Sequence, residues 1–273
     1  KTAYEIGVRL VGSEMCIRDR PKSLFGTLHE TGHALYEQFC DPAYTRTPLA
    51  TDLVGLYAVG GVSFGAHESQ SRLFENHVGR SREFWELNYG ELQATFPEQL
   101  RGINTETFWR AVNRVEPGLI RVESDELTYD FHIMLRVEIE AALIDGSLKV
   151  SELPEAWNAK VKEYLGLEVP NDRLGVLQDV HWSSGQVGTF CNYTIGNVMA
   201  GQLFASATED GRIRDGLASA DYLPLREWMT EHVHRHGRRY TRDEILEKAT
   251  GRALDPTFYI QHLTQKYSDI YGI

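Results

Sequence analysis

The feature that most limits how this chain can fold is the run His29-Glu30-Thr31-Gly32-His33, set in a stretch from 24 to 38 that no proline interrupts. Phe25, Leu28, Ala34, Leu35 and Phe39 surround it at helix-compatible spacing. On an α-helix the four-residue interval brings His29 and His33 onto one face, where both imidazoles can reach a single zinc ion. Glu30 falls at a neighbouring position, too close in sequence to share the metal and well placed to hold the water it activates. Its expected role is general base. With 10 His and 39 acidic residues in 273, such a run arises by chance in about a few per cent of comparable chains, so context must support it. The competing reading is a buried helix whose two histidines are ordinary core residues.

A catalytic zinc needs a third protein ligand and an open position for water. The candidate is Glu68, in the helix-compatible segment His67-Glu68-Ser69-Gln70-Ser71-Arg72, 39 residues after His29. That interval is long enough to leave the first helix, turn through Asp41-Pro42 and Thr47-Pro48, and return alongside. His67, one position round the helix, is expected to face elsewhere. Taken alone this segment is weak, because Glu on a solvated helix face is common. Two imidazoles and a carboxylate suit zinc best, with cobalt or manganese as possible occupants.

Four ordered stretches now carry a family resemblance: His29-Glu30-Thr31-Gly32-His33, His67-Glu68-Ser69-Gln70, Ile120-Arg121-Val122-Glu123-Ser124-Asp125 and Gly175-Val176-Leu177-Gln178-Asp179-Val180-His181-Trp182. In this order they resemble the HExxH, HESQ, IRxxAD and GxxQDxHW blocks of the Taq-type, or thermostable, metallocarboxypeptidases. Ser124 stands where the family usually has Ala. The segment between His33 and Glu68, which includes residues 53–61, looks longer than is usual and could shift the third ligand. Members are longer chains with further motifs ahead of the zinc helix, so the likeness, from about Pro21 onward, is to the C-terminal half of such an enzyme.

The resemblance implies a mainly α, zincin-like HExxH metallopeptidase fold with at most a small β element and the N-terminal part missing. It implies release of single C-terminal amino acids from peptides with broad specificity, and a homodimer when the protein is whole. An exopeptidase acting there needs a fixed cation for the free carboxylate, and Arg121 is implied for that task by its planar fork. Tyr193 is implied beside it, either as a second carboxylate contact or as a donor to the oxyanion of the attacked carbonyl. His181 is expected to polarise the carbonyl or steady the leaving amine, oriented by Asp179. The alternative for that block is structural, with Trp182 buried and Asp179 as a helix cap. A zinc oligopeptidase or endopeptidase, or an inactive helical binding module left by truncation, are the other readings.

Charge and cysteine content narrow the rest. A net charge of −11 argues against nucleic acid or anionic membrane as partner and is otherwise uninformative about substrate; peptides are the ligand the resemblance implies. Cys16, Cys40 and Cys191 show neither pairing nor CxxC spacing, which fits a reducing, cytoplasmic setting. Residues 1–20 begin with Lys, and Arg9, Glu14 and Arg18 deny them the apolar core of a secretory signal. They are expected to be a non-native or unstructured leader carrying no site, with residues 21–273 forming one catalytic domain.

Periodicity predicts helices over 81–95, 105–115, 130–145, 151–165, 222–236 and 242–250, with Thr105 and Ser151 at starts and Gly146 and Gly237 at ends. Over 118–124 the side chains alternate, predicting a short strand that could pair with an extended substrate. The plainer reading of that stretch is an edge segment whose Arg121 pairs with Glu123 or Asp125.

Overall fold

The computed structural model describes residues 20–49 and 64–273. The expected insertion around 53–61 and the leader at 1–19 lie outside the described residues. Eleven α-helices run through the described residues, with no strand among them. They are α1 Arg20–Phe39, α2 Phe64–Arg72, α3 Arg82–Thr95, α4 Thr105–Val112, α5 Tyr129–Asp145 and α6 Leu153–Leu165, then α7 Cys191–Ala207, α8 Gly211–Ala218, α9 Leu223–His232, α10 Arg242–Thr250 and α11 Thr257–Tyr271. No helix among the described residues is long and apolar enough to cross a membrane.

Local sequence accounts for many of the boundaries. Ser81 caps α3 by accepting the Phe84 N–H at 3.1 Å, and Thr241 and Glu244 cap α10 reciprocally. Gly146 ends α5 in the left-handed conformation at φ 80°. Other boundaries were shifted by neighbours. Asn104, one residue before Thr105, is the cap of α4 and accepts the Thr107 N–H at 2.8 Å. The same helix stops at Val112, because Asn113 turns its amide onto the carbonyls of Trp109 and Arg80. The expected 151–165 helix opens as a 3-10 turn, Val150–Glu152, before α6. The expected 222–236 helix breaks at Val233 into a second 3-10 turn, His234–His236. There a buried His234 bonds Gln70 at 2.8 Å and Tyr36 donates to the Gly237 carbonyl at 2.8 Å, so tertiary bonds outweigh helix continuation.

The strand predicted over 118–124 is not formed. Ile120 is extended, but the chain then tightens into a 3-10 turn, Arg121–Glu123. The Arg121 N–H is taken by the Gln178 side chain at 2.9 Å, and the Glu123 N–H returns to the Ile120 carbonyl. A backbone whose donors are spent on side chains and on its own turn offers no edge for strand addition.

Four apolar clusters hold the described helices together, the smallest formed by Tyr129, Ile133 and Phe190. Tyr36, Ala66, Met199, Leu203, Met229 and Leu246 join α1, α2, α7, α9 and α10. Phe25, Trp85, Tyr89, Trp109, Tyr267 and Ile270 join α1, α3, α4 and α11. Leu135, Ile139, Trp157, Val161 and Leu165 seal α5 against α6. Each fully buried large side chain contributes about 1.5–3 kcal/mol by leaving water. The helix α7 was invisible to periodicity because it is buried among α2, α5, α10 and α11, and a helix covered on all sides shows no apolar stripe.

Two glycines set the distance between the helices that matter most. A Cβ on Gly32 of α1 would stand 2.5 Å from the Gln70 carbonyl carbon and the Ser71 Cα of α2. One on Gly196 of α7 would stand 2.7 Å from the Glu68 Cγ. The backbone of α1 therefore lies directly against α2, and α7 presses Glu68 forward from behind.

Candidate metal centre

Pressing α1 onto α2 brings His29, His33 and Glu68 together. One ligand atom from each lies within 4.8 Å of the others. The Glu68 Oε2 is 3.4 Å from the His33 Nε2 and 3.8 Å from the His29 Nε2. The two imidazole rings meet edge-on with centroids 5.0 Å apart, as residues four apart on one helix face must.

Glu68 is only 2% exposed. Burial alone would raise its pKa, but the Arg72 guanidinium, with His33 and His29 facing it, holds the carboxyl down at about 2. Its oxygens are divided: Oε1 accepts from the Arg72 Nε at 2.9 Å, leaving Oε2 for the histidines. The Arg72 guanidinium stacks on the Tyr129 ring at 4.2 Å, so the residue that orients the carboxylate is itself held.

Each imidazole has its outward nitrogen engaged. The His29 Nδ1 is 2.9 Å from Glu75 Oε2. Burial raises the Glu75 pKa, while His29, Arg72 and Arg80 bring it down to about 2. The His33 Nδ1 is 2.6 Å from the His67 Nδ1, and the His67 Nε2 is 2.8 Å from Glu37 Oε1. His67 thus stands behind His33, outside both the three-residue cluster and the cavity lining, as expected of a residue one position round the helix from Glu68; what the helix wheel did not foresee is its contact with the His33 ring. The donor set fits a divalent metal: two Nε2 atoms with their Nδ1 partners in place, and one ionised carboxylate oxygen.

Sequence reading had not singled out Glu37, Arg72 and Glu75. A signal existed, since Glu37 is four residues beyond His33, while Arg72 and Glu75 are four and seven beyond Glu68, near multiples of a helical turn. Glu75 lies in a π-helical turn, Leu73–Gly79, that continues α2.

A cavity of about 450 Å³ opens over His29, His33 and Glu68, and Glu30, Arg121 and Tyr193 line it with them. Glu30 is exposed there. His181 is not part of that lining; it stands behind Tyr193, its Nε2 2.9 Å from the Tyr193 hydroxyl. Burial, with Arg121 nearby, lowers the His181 pKa and so favours the neutral ring. Burial pushes the Tyr193 hydroxyl up to about 12, so it keeps its proton at neutral pH.

The ion pair of Arg121 is with Asp179, not with its sequence neighbours. Its Nη2 and Nε donate to Asp179 Oδ1 at 2.6 and 2.9 Å, and its Nη1 reaches the Tyr129 hydroxyl at 3.1 Å. Asp179 is shared with Arg136, whose Nε donates to Oδ2 at 2.6 Å. Asp125, the other expected partner, instead accepts from Thr128 and the Leu127 N–H in the turn leading to α5. Asp179 is therefore no helix cap, whereas Trp182 does pack inward and donates its indole N–H to Glu140 at 2.7 Å.

Residues 9–267 match the model of the carboxypeptidase Taq (M32) metallopeptidase family. Carboxypeptidase 1 of Bacillus subtilis is 41% identical over 255 residues, 93% of this chain and 49% of that protein. Thermostable carboxypeptidase 1 of Thermus thermophilus is 42% identical over 91% of this chain and 47% of its own. Among solved structures, an M32 carboxypeptidase from Deinococcus radiodurans superposes with a TM-score of 0.86 at 47% identity, over 93% of this chain and 50% of that one. The chain spans about half the length of the curated relatives it matches.

Proposed function

The chain belongs to the carboxypeptidase Taq (M32) metallopeptidase family, and from that premise we propose that it carries the catalytic centre of a zinc carboxypeptidase that removes single C-terminal amino acids from peptides. The observation that carries the proposal is the convergence of two imidazoles and one ionised carboxylate beneath a cavity whose wall also presents an acid and a guanidinium.

In this reading His29, His33 and Glu68 hold the metal. When bound, a zinc ion there would lower the pKa of a water to about 7 and polarise the scissile carbonyl. Glu30 takes the proton of the attacking water and later delivers it to the departing amine. Arg121 has two of its five N–H groups beyond its bonds to Asp179 and Tyr129, and these receive the substrate carboxylate. Two guanidiniums around one Asp179 carboxylate leave a net positive charge behind that wall, which favours an anionic terminus. Tyr193 remains a donor because its pKa is raised, and His181 holds its hydroxyl in place for the carboxylate or for the oxyanion. Cobalt or manganese would suit the same ligands. A cytoplasmic setting, from cysteines without a pairing pattern, and a homodimeric whole protein, from the resemblance, complete the proposal.

The test compares a peptide with its C-terminally amidated twin on the zinc-loaded chain, following free amino acid release and zinc stoichiometry. Release from the free acid alone is expected. Internal cleavage of both peptides would replace the reading with an oligopeptidase. One bound zinc without turnover would mean that this length of chain forms the metal centre but not a working cleft.

A further inference from the structure

The two histidines of the metal centre are supported unequally. His29 meets a carboxylate directly: Glu75, which is half-buried and bridged by Arg72 and Arg80. His33 has no such partner. Its Nδ1 faces the Nδ1 of another histidine, His67, at 2.6 Å, and the carboxylate appears only beyond that ring, where Glu37 Oε1 is 2.8 Å from the His67 Nε2.

Counting protons along this chain leaves one arrangement. If His33 offers its Nε2 lone pair to a metal, a neutral ring must carry its proton on Nδ1. That N–H can donate only if the His67 Nδ1 is bare. A neutral His67 then carries its proton on Nε2, aimed at the Glu37 carboxylate. The opposite assignment sets two N–H groups against each other at 2.6 Å and turns a lone pair towards an anion. We propose that His67 and Glu37 form a relay that fixes the tautomer and ring orientation of His33, so that both are positioning residues for the metal centre although neither ligates. The proposal rests on the metal-centre reading above.

The surroundings suit a fixed relay. The Tyr36 ring lies 5.0 Å from the His67 ring and 5.4 Å from that of His234, and its hydroxyl is tied to the Gly237 carbonyl. Glu37 belongs to α1 and His67 to α2, so the relay also links the two helices that supply the ligands. Its far end is the weak one: the Glu37 side chain is 41% exposed, against 14% for Glu75. Water can partly replace Glu37, so its loss should cost less than the loss of His67.

The experiment measures zinc dissociation constants by competition with a chromophoric chelator, together with thermal unfolding, for the unaltered chain and its variants. His67→Phe should weaken zinc by about 10- to 100-fold, as loss of a ligand's supporting partner does. His67→Asn, whose amide oxygen can stand where the Nδ1 stood, should restore most of the affinity. Glu37→Ala should weaken zinc by less than His67→Phe, and Glu37→Gln, which keeps an acceptor oxygen, by less again. Long-range proton–nitrogen spectra of the zinc-loaded unaltered chain should place the His67 proton on Nε2 and the His33 proton on Nδ1. A His67 proton on Nδ1 overturns the relay, as does a folded His67→Phe variant that binds zinc as tightly as the original. If the unaltered chain binds no zinc, or Glu68→Ala binds it undiminished, the metal-centre reading fails and takes the relay with it. If His67→Phe does not fold, Glu37→Ala and the spectra decide.

Discussion

Gly32 lies between His29 and His33, and its replacement by alanine tests whether helix contact builds the proposed metal centre. The new methyl group would stand 2.5 Å from two backbone carbons of α2, at Gln70 and Ser71. Carbon atoms pack at about 3.5–4.0 Å, so α1 and α2 must part by about 1 Å. Backbone cannot swing aside as a flexible side chain can, and overpacking of this kind costs about 1–3 kcal/mol. Glu68 would be carried away from His29 and His33 by the same distance, whereas metal–ligand distances tolerate only about 0.2 Å. Zinc affinity should therefore fall by more than the roughly 100-fold that follows loss of a supporting partner. Gly26, six residues earlier on the same helix, has open space where its Cβ would go. Gly26→Ala should stabilise the helix by about 0.5–1 kcal/mol and leave zinc affinity unchanged. Chelator competition and thermal unfolding of both variants provide the comparison. A Gly32→Ala protein as stable as Gly26→Ala, with zinc bound as tightly, would refute the claim that this close approach assembles the site.

Three further expectations follow from the same geometry. Glu30→Gln should keep zinc stoichiometry while peptide hydrolysis falls by about 10²–10⁴; normal turnover would remove Glu30 as the base. Asp179→Asn takes away the carboxylate between Arg121 and Arg136, and stranding buried guanidiniums should cost about 3–5 kcal/mol in urea unfolding near neutral pH. Because Asp179 is held below its ordinary carboxylate range despite burial, chiefly by Arg121 and then Arg136, that cost should shrink as the pH falls below the usual Asp value of about 3.9. His132 and His234 are pressed down to about 3 by burial, with Arg136 acting on the first and His67 on the second. The unfolded chain therefore binds the protons they refuse. Stability should be full above about pH 6.5 and decline on acidification towards 3 by about 1.4 kcal/mol per pH unit for each ring. His132→Gln should lessen that slope, and an unchanged slope would show that the ring is not held neutral.

Sequence by itself determined what depends on short intervals. The four-residue spacing of His29 and His33 dictated a shared helix face, periodicity placed a helix over 81–95 and the stop at Gly146 marked a helix end, and four ordered motifs carried the family. These succeed because helical periodicity and capping act within a few residues. Only the tertiary structure decided which distant groups meet: that Glu68, the sequence's candidate, does come within reach of His29 and His33, that His67 and Glu75 stand behind the two imidazoles, that Arg121 is clasped by Asp179, and that His181 stands behind Tyr193. Those outcomes follow from how closely α1, α2 and α7 approach at Gly32 and Gly196, and from how buried charges find partners dozens of residues away. The same long-range bonding turned the predicted strand at 118–124 into a tight turn, since the Gln178 side chain claimed the Arg121 N–H that a sheet would have needed.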